Sequence, residues 1–163
     1  MSHTSRWIAG LLLAGSFGVH AQTVEEAAAV LERYTGARRA GDLDTMVSMT
    51  HPRVLASLGG PEKMSALLRT LRDTEGDAAV VREDLNEVRA YRYPEQTLFL
   101  VRTTRQVRSF PALLPQAQLY VLTTAANGGT WDIVDMSCTN TATIRKLEPR
   151  FQDENAVTDM MAN

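Results

Sequence analysis

Histidine, cysteine and lysine are scarce in this chain. Its 163 residues include one cysteine, Cys138, and three histidines, and the only lysines are Lys63 and Lys146. A single cysteine cannot form an internal disulfide. A Schiff-base enzyme needs a lysine in an apolar or cationic pocket, whereas both lysines lie in polar, helix-like segments. The composition therefore disfavours a disulfide-stapled fold and lysine catalysis.

A large charge excess and a long apolar run are missing as well. The formal net charge is −2 at pH 7, which gives no electrostatic reason to expect a nucleic-acid partner. The uncharged apolar run Trp7–Val19 is shorter than the roughly 20 residues that cross a bilayer as a helix. We therefore expect neither nucleic-acid binding nor a membrane span.

The N-terminal segment has the three-part pattern of a secretory signal peptide. Arg6 gives a positive start, Trp7–Val19 is apolar, and a small-x-small ending closes at Ala21 before Gln22. We predict that residues 1–21 are a signal peptide and that the mature protein is periplasmic or secreted.

Removal of that segment leaves one histidine, His51, one cysteine, Cys138, and one tryptophan, Trp131. A Ser-His-Asp triad or a Cys-His pair would then depend on His51. A Cys₂His₂ or His₃ zinc site cannot be built from one such chain. We expect no metal site and no cofactor.

The first half of the mature chain carries helix signals. Thr23 and Glu26 form a capping box, and apolar residues then recur at helical spacing. Pro52 disfavours a helical conformation at the residue before it, and Pro61 suits a first helical position. The predicted helices run from Thr23 to Gly41, from Asp42 to His51 and from Pro61 to Glu75.

The second half is rich in β-formers. Asn127-Gly128-Gly129 is a strong hairpin turn, the segment from Phe110 to Pro115 is predicted to interrupt the sheet, and Asn140 or Thr141 is expected to cap a short last helix that ends at Pro149. The predicted strands are Ala78–Tyr93, Thr97–Val107, Gln118–Ala125 and Trp131–Ser137.

Helices that precede an antiparallel sheet predict an α+β fold. We expect the three helices to pack on one face of a curved sheet. Residues 22–151 are predicted to form a single domain, and residues 152–163 a polar, frayed C-terminal tail.

Three stretches carry a resemblance to the nuclear transport factor 2-like superfamily, whose fold is a cone-shaped α+β structure. They are the amphipathic helix AAAVLERYTGARRAGDLDTM, the break HPRVLASLGGPEKM and the hairpin LYVLTTAANGGTWDIVDMS. The end of the hairpin is similar to that of secreted bacterial members without an assigned role. The superfamily includes dehydratases, isomerases and cyclases as well as non-catalytic binding and dimerisation modules, so the resemblance implies the fold and leaves the function open.

His51 and Asp135 are the two candidates for a catalytic base. His51 titrates in a suitable range, but a histidine that ends a helix also suits the helix dipole. Asp132 and Asp135 should face opposite sides of the last strand. Because Asp135 shares a face with Trp131 and Ile133, we expect it to point inward. There it either acts as a base with a raised pKa or pairs with an arginine of a neighbouring strand.

Four aromatic residues have the apolar bodies and polar tips that suit a pocket. Aromatic residues at such spacing also build ordinary cores. The candidates for lining a pocket are Tyr34, Tyr91, Tyr93 and Trp131.

Cys138 is predicted to be a small buried hydrophobic residue. Arg102 and Arg108 should lie on one face of their strand and Arg105 on the other, so they form no single patch. A solvated strand face is the expected role of these arginines.

The poverty of catalytic residue types favours an exported, non-catalytic domain that binds a small apolar ligand or a protein partner and forms a homodimer through its sheet. One alternative is a pocket enzyme for proton transfer or dehydration, with Asp135 or His51 as base and a tyrosine hydroxyl polarising the substrate. Another alternative, based on size and compartment alone, is a periplasmic inhibitor of a secreted toxin.

Overall fold

The structure, a computed structural model, describes residues 22–75, 80–109, 111–125, 128–136 and 141–162. The predicted signal peptide, Cys138, Asn127 and Asn140 lie outside these ranges. The described elements, in chain order, are α1 (Val24–Ala40), α2 (Leu43–Met49), α3 (Pro52–Leu58), α4 (Pro61–Glu75), β1 (Val80–Arg92), β2 (Gln96–Ser109), β3 (Ala112–Ala125), β4 (Trp131–Asp135), α5 (Thr141–Leu147) and α6 (Ala156–Ala162). The fold class is α+β, with N-terminal helices packed on a curved antiparallel sheet, as predicted.

Local signals set the limits of α1. The Thr23 hydroxyl accepts a hydrogen bond from the Glu26 amide at 3.1 Å, and the Glu26 carboxylate accepts one from the Thr23 amide at 3.0 Å. This confirms the predicted capping box. Gly41 ends the helix with a φ of 70°, in the left-handed region that glycine adopts without a steric penalty.

Pro52 begins a helix instead of only ending one. Asp42 caps α2 as predicted, and Thr50 closes it. His51 is the N-cap of α3, and its Nδ1 accepts a hydrogen bond from the Arg53 amide at 3.1 Å. The prediction that His51 ends a helix is therefore wrong. A proline that stops one helix also has the backbone geometry for the first position of the next.

The four strands form one antiparallel sheet in the order β1-β2-β3-β4. The predicted interruption from Phe110 to Pro115 is wrong, since β3 already begins at Ala112, which pairs with Ser109. β4 pairs only with Tyr120–Thr124. Among the described residues, the edge of β3 that faces away from β2 is therefore unpaired at Pro115, where a strand accommodates a residue without an amide hydrogen.

One hydrophobic core lies between the sheet and the N-terminal helices, and we call this side of the sheet the inner face. Phe99 and Val101 of β2 are fully buried here against α1 and α2. The remaining buried members of this core are Ala27, Leu31, Tyr34, Ala37, Met46, Met49, Tyr120, Leu122 and Ile133.

A second core covers the opposite, outer face of the sheet. Leu98 and Leu100 alternate with the inner residues of β2 and pack against α5 and α6. Met160 of α6 is completely buried. The expectation of a frayed tail is therefore wrong for residues 156–162, because Ala156, Val157 and Met160 give this short helix an apolar side. The sheet thus has helices on both faces, whereas the sequence predicted a single helical layer.

Among the described residues, no helix is both long enough and apolar enough to span a bilayer.

Candidate functional site

Four charged residues from four different elements meet on the inner face. They are Arg38 of α1, Glu83 of β1, Arg105 of β2 and Asp135 of β4, and their side chains are between 4% and 23% exposed. Two positive and two negative groups make the set neutral. We call these four residues and Tyr120 the inner network.

The Tyr120 hydroxyl is the centre of the inner network. It donates a hydrogen bond to Glu83 Oε1 at 2.7 Å and accepts bonds from Arg105 Nη2 at 2.7 Å and Arg38 Nη1 at 3.2 Å. Burial holds the pKa of Tyr120 well above its ordinary value. The hydroxyl therefore stays protonated at physiological pH and acts as a fixed hydrogen-bond donor.

Asp135 points inward, as its alternation with Ile133 predicted. Its Oδ2 accepts hydrogen bonds from Arg38 Nη2 and, at 3.2 Å, from Arg105 Nη2, while its Oδ1 accepts one from Gln118 Nε2 at 2.5 Å. Because these donors occupy both carboxylate oxygens, Asp135 could accept a proton from a substrate only by losing one of these hydrogen bonds. The geometry therefore matches the structural ion pair, although the arginines come from α1 and β2 instead of the adjacent strand β3.

Three members of the inner network, Arg38, Glu83 and Tyr120, were not predicted from the sequence. The expected solvated face is wrong for Arg105, whose side chain is 12% exposed. Glu83 faces inward because β1 has a register shift between Leu85 and Glu87. A bulge of this kind reverses the alternation of side chains along a strand. The face of Glu83 therefore does not follow from the order of residues in the sequence. Glu83 also accepts a hydrogen bond from Thr103 Oγ1 at 2.6 Å.

Tyr34 and Trp131 lie in the inner core. Tyr34 packs edge-on against Tyr120 with ring centroids 6.2 Å apart, and burial raises the pKa of Tyr34 to about 12. Trp131 packs against Phe99 at 5.4 Å. Both residues fill space between α1, α2 and the sheet.

Tyr91 and Tyr93 share the outer face of the sheet. Tyr91 packs edge-on against Phe151 at 5.0 Å and donates a hydrogen bond to Asp153 Oδ2 at 2.7 Å. The guanidinium of Arg150 lies 5.2 Å from the centre of the Tyr93 ring. The four aromatic candidates are thus divided between two faces and do not line a common pocket.

His51 and Asp132 approach each other at the edge of β4. The His51 amide donates to the Ile133 carbonyl at 2.9 Å, and Thr50 forms a parallel bridge with Ile133. This brings the turn between α2 and α3 alongside the strand. Burial lowers the pKa of His51 and raises that of Asp132, and each charge partly offsets the effect on the other. The alternation of β4 indicates the face of Asp132 but not this neighbour, which comes from the turn between α2 and α3.

A cavity of about 460 Å³ opens beside Asp132 between α2, α3, α4 and β4, and we call it the Asp132 cavity. None of the described residues that line it is basic. The lining consists of four apolar residues (Val47, Pro52, Leu55 and Pro61), three hydroxyl residues (Ser48, Thr50 and Ser65) and three acidic residues (Asp44, Glu62 and Asp132).

A cleft of about 600 Å³ lies between α1 and β1, next to Glu83 and Thr103 of the inner face. Both acidic and basic side chains line it, among them Glu32, Arg39 and Arg82. Its mixed charges and partly exposed walls define no single ligand chemistry.

A smaller pocket of about 320 Å³ lies on the outer side, beside His51 and the buried carboxylate of Glu148. Glu148 accepts hydrogen bonds from Arg150 Nε at 2.8 Å, from Arg150 Nη2 at 2.9 Å and from Gln96 Nε2 at 2.7 Å. The bonds from Arg150 are the main reason that the pKa of Glu148 is lowered to about 2. This pocket is built around an ion pair that is already satisfied.

Within the described ranges, no three or more histidine, cysteine, aspartate or glutamate side chains cluster closely enough to hold a metal ion. Comparison with models of protein families finds no match, and comparison with curated proteins finds none.

Proposed function

We propose that this chain is an exported, non-catalytic binding domain of the nuclear transport factor 2-like type, and that it takes a small apolar ligand in the Asp132 cavity. The observation that carries the proposal is that the inner network fills the inner face of the sheet. In enzymes of that superfamily an acid–base pair usually lies on facing walls of the cone. Here that space holds the inner network, in which both carboxylates are already paired with arginines.

The Asp132 cavity has the properties of a small-molecule site. Its volume of about 460 Å³ lies in the range of roughly 300–1,000 Å³ that is typical of ligand pockets. Val47, Leu55 and two prolines give it apolar walls, and a few polar groups lie among them. Its walls are helix surfaces held by the core, since Val47 is buried, so the site is largely preformed.

A pocket enzyme for proton transfer is the second candidate, and one observation favours it. Asp132 has a raised pKa and lies close to His51, and perturbed pairs of this kind occur at catalytic sites. This supports His51, one of the two bases considered from sequence, and replaces Asp135 by Asp132 as the carboxylate.

Binding of an environment-sensitive, uncharged dye such as Nile red tests the proposed function. We expect the mature protein to bind about one equivalent, and Leu55→Gln, which makes a cavity wall polar, to weaken binding at least tenfold. Leu58→Gln is the matched control, because Leu58 is 39% exposed and lies outside the cavity lining. Absence of dye binding, or equal binding by both variants, would contradict the proposal.

Export is proposed on the strength of the N-terminal pattern. Gln22, the predicted first residue of the mature protein, is buried and tied to the domain, with hydrogen bonds to the Ala125 carbonyl at 2.8 Å and from Thr97 Oγ1 at 3.0 Å. The mass of the protein recovered from a periplasmic extract should correspond to a chain that starts at Gln22. A mass that still includes Met1 would contradict export with cleavage.

The expected homodimer needs a part of the sheet that the helices leave uncovered. The outer face of the central strands is occupied by α5 and α6. Leu113 and Leu114 at the start of β3 are 53% and 47% exposed. We propose that this end of the β2–β3 hairpin forms the contact, and sedimentation of the wild type and of Leu114→Lys tests it: dimer loss in the variant supports the contact, and a monomeric wild type refutes it.

A further inference from the structure

We propose that the Asp132 cavity selects small organic cations, that is, ligands with an apolar body and one protonated amine. This inference rests on the proposed function of the cavity and names the class of its ligand. Three features carry it: the missing partner of Asp132, the hydrogen-bonding state of the hydroxyls, and the charges of the lining.

Asp132 has a half-buried carboxylate without a counter-charge. Within the described part of the chain, no group donates a hydrogen bond to it or forms an ion pair with it. His51 is the titratable neighbour whose charge affects the pKa of Asp132. Because burial lowers the pKa of His51, the imidazole is mainly neutral at pH 7. A carboxylate in such a place is stabilised by a cation that enters with the ligand.

Two of the three hydroxyl groups of the cavity, those of Ser48 and Thr50, present acceptors. Thr50 Oγ1 donates its hydrogen to the Met46 carbonyl at 2.8 Å, and Ser48 Oγ donates to the Thr45 carbonyl at 2.9 Å. With their hydrogens engaged, these oxygens offer only lone pairs to a ligand. An ammonium group has three donors and no acceptor, so it matches this lining, whereas a carboxylate does not.

The other two acidic residues strengthen the negative potential at the opening. Asp44 and Glu62 lie in the first turns of α2 and α4, where helix ends favour carboxylates. Their presence is therefore explained by the helices alone, whereas Asp132 lies on a strand and has no such explanation. With no basic residue among the described lining, the cavity attracts cations and repels anions.

Three probes of equal chain length separate the possibilities: octylamine, octanol and octanoate. Calorimetric titration of the mature protein at low ionic strength should show octylamine binding at least tenfold more tightly than octanol, and octanoate more weakly still. In Asp132→Asn the preference for octylamine over octanol should fall to within about threefold. Asp73→Asn, an exposed aspartate on α4 with 73% of its side chain accessible, is the matched control and should keep the preference.

A second pair of variants covers the possibility that Asp132→Asn fails to fold. Leu55→Lys places a cation in the cavity wall and should abolish octylamine binding, whereas Leu58→Lys should retain it. Equal affinities of the wild type for octylamine and octanol would overturn the cation selectivity and leave the proposed function standing. Failure of all three probes to bind the folded wild type would overturn both. Tight octylamine binding that neither Asp132→Asn nor Leu55→Lys weakens would place the site elsewhere and overturn the inference.

Discussion

Asp132 and Asp135 are three residues apart on β4 and have opposite surroundings. Asp135 lies on the inner face and accepts hydrogen bonds from Arg38, Arg105 and Gln118. Asp132 lies at the strand edge beside an apolar cavity, and none of the described residues pairs with it. One carboxylate is thus part of the structure's internal ion pairing, while the other is available to a ligand.

This difference follows from the two helical layers. α1 supplies Arg38 to the inner face, whereas the α2–α3 turn brings a backbone bridge and a neutral imidazole to the strand edge. A carboxylate without a counter-charge is costly unless something else compensates it.

Replacement of Tyr120 by phenylalanine should destabilise the fold by about 2 kcal/mol, because it removes one donor from the buried Glu83 carboxylate and one acceptor from two arginines. Urea unfolding measures the change. Tyr93→Phe is the control, since none of the described residues hydrogen-bonds to the Tyr93 hydroxyl, and it should cost less than about 0.5 kcal/mol. Equal effects of the two variants would show that the inner network is not a stabilising unit.

Glu148 makes the free energy of unfolding depend on pH in the acidic range. Its pKa is lowered from 4.5 to about 2, mainly by hydrogen bonds from Arg150. The native state therefore holds the carboxylate more strongly in its charged form than the unfolded state does. This contribution is complete above about pH 5 and is lost as the pH falls towards about 2.

Glu148→Gln should remove that dependence. We expect the melting temperature of the variant to fall less steeply than that of the wild type between about pH 5 and pH 2.5. Parallel curves for the two proteins would rule out the lowered pKa of Glu148 as a source of acid sensitivity.

Met160→Ala should destabilise the protein by about 3 kcal/mol, because Met160 is completely buried in the outer core and its truncation leaves a cavity. Met161→Ala, the adjacent residue at 44% exposure, should change stability by less than about 0.5 kcal/mol. If both variants unfold at the same urea concentration as the wild type, α6 is not docked on the sheet.

His51 should act as a helix cap. Asparagine accepts the same type of backbone hydrogen bond, so His51→Asn should retain wild-type stability, whereas His51→Ala should lose about 1 kcal/mol. Octylamine affinity should stay within a few-fold in both variants. A loss of measurable turnover in His51→Asn, in an assay where the wild type is active, would favour the enzyme alternative.

Local sequence signals predicted the parts of the fold that depend on short-range chemistry. The capping box at Thr23, the stop at Gly41 and the inward side chain of Asp135 all follow from neighbouring residues, and the structure confirms them. The element order likewise predicted the α+β class.

The missed features depend on contacts that are distant in sequence. The inward orientation of the Glu83 side chain requires the β1 bulge. The docking of α6 depends on the outer face of strands that lie some 40 to 60 residues earlier in the chain. Strand alternation indicates only the face of Asp132, whereas the cavity beside it is made by helices that pass the edge of the sheet. Composition and periodicity do not encode such contacts.

The most direct measurement of the central claim is an NMR titration of the ¹⁵N-labelled mature protein with octylamine. Ligand binding in the Asp132 cavity predicts that the largest amide shifts cluster at Thr50, Leu55 and Asp132. Shifts that instead cluster at Glu32, Glu83 and Thr103 would place the ligand in the cleft between α1 and β1 and contradict the account.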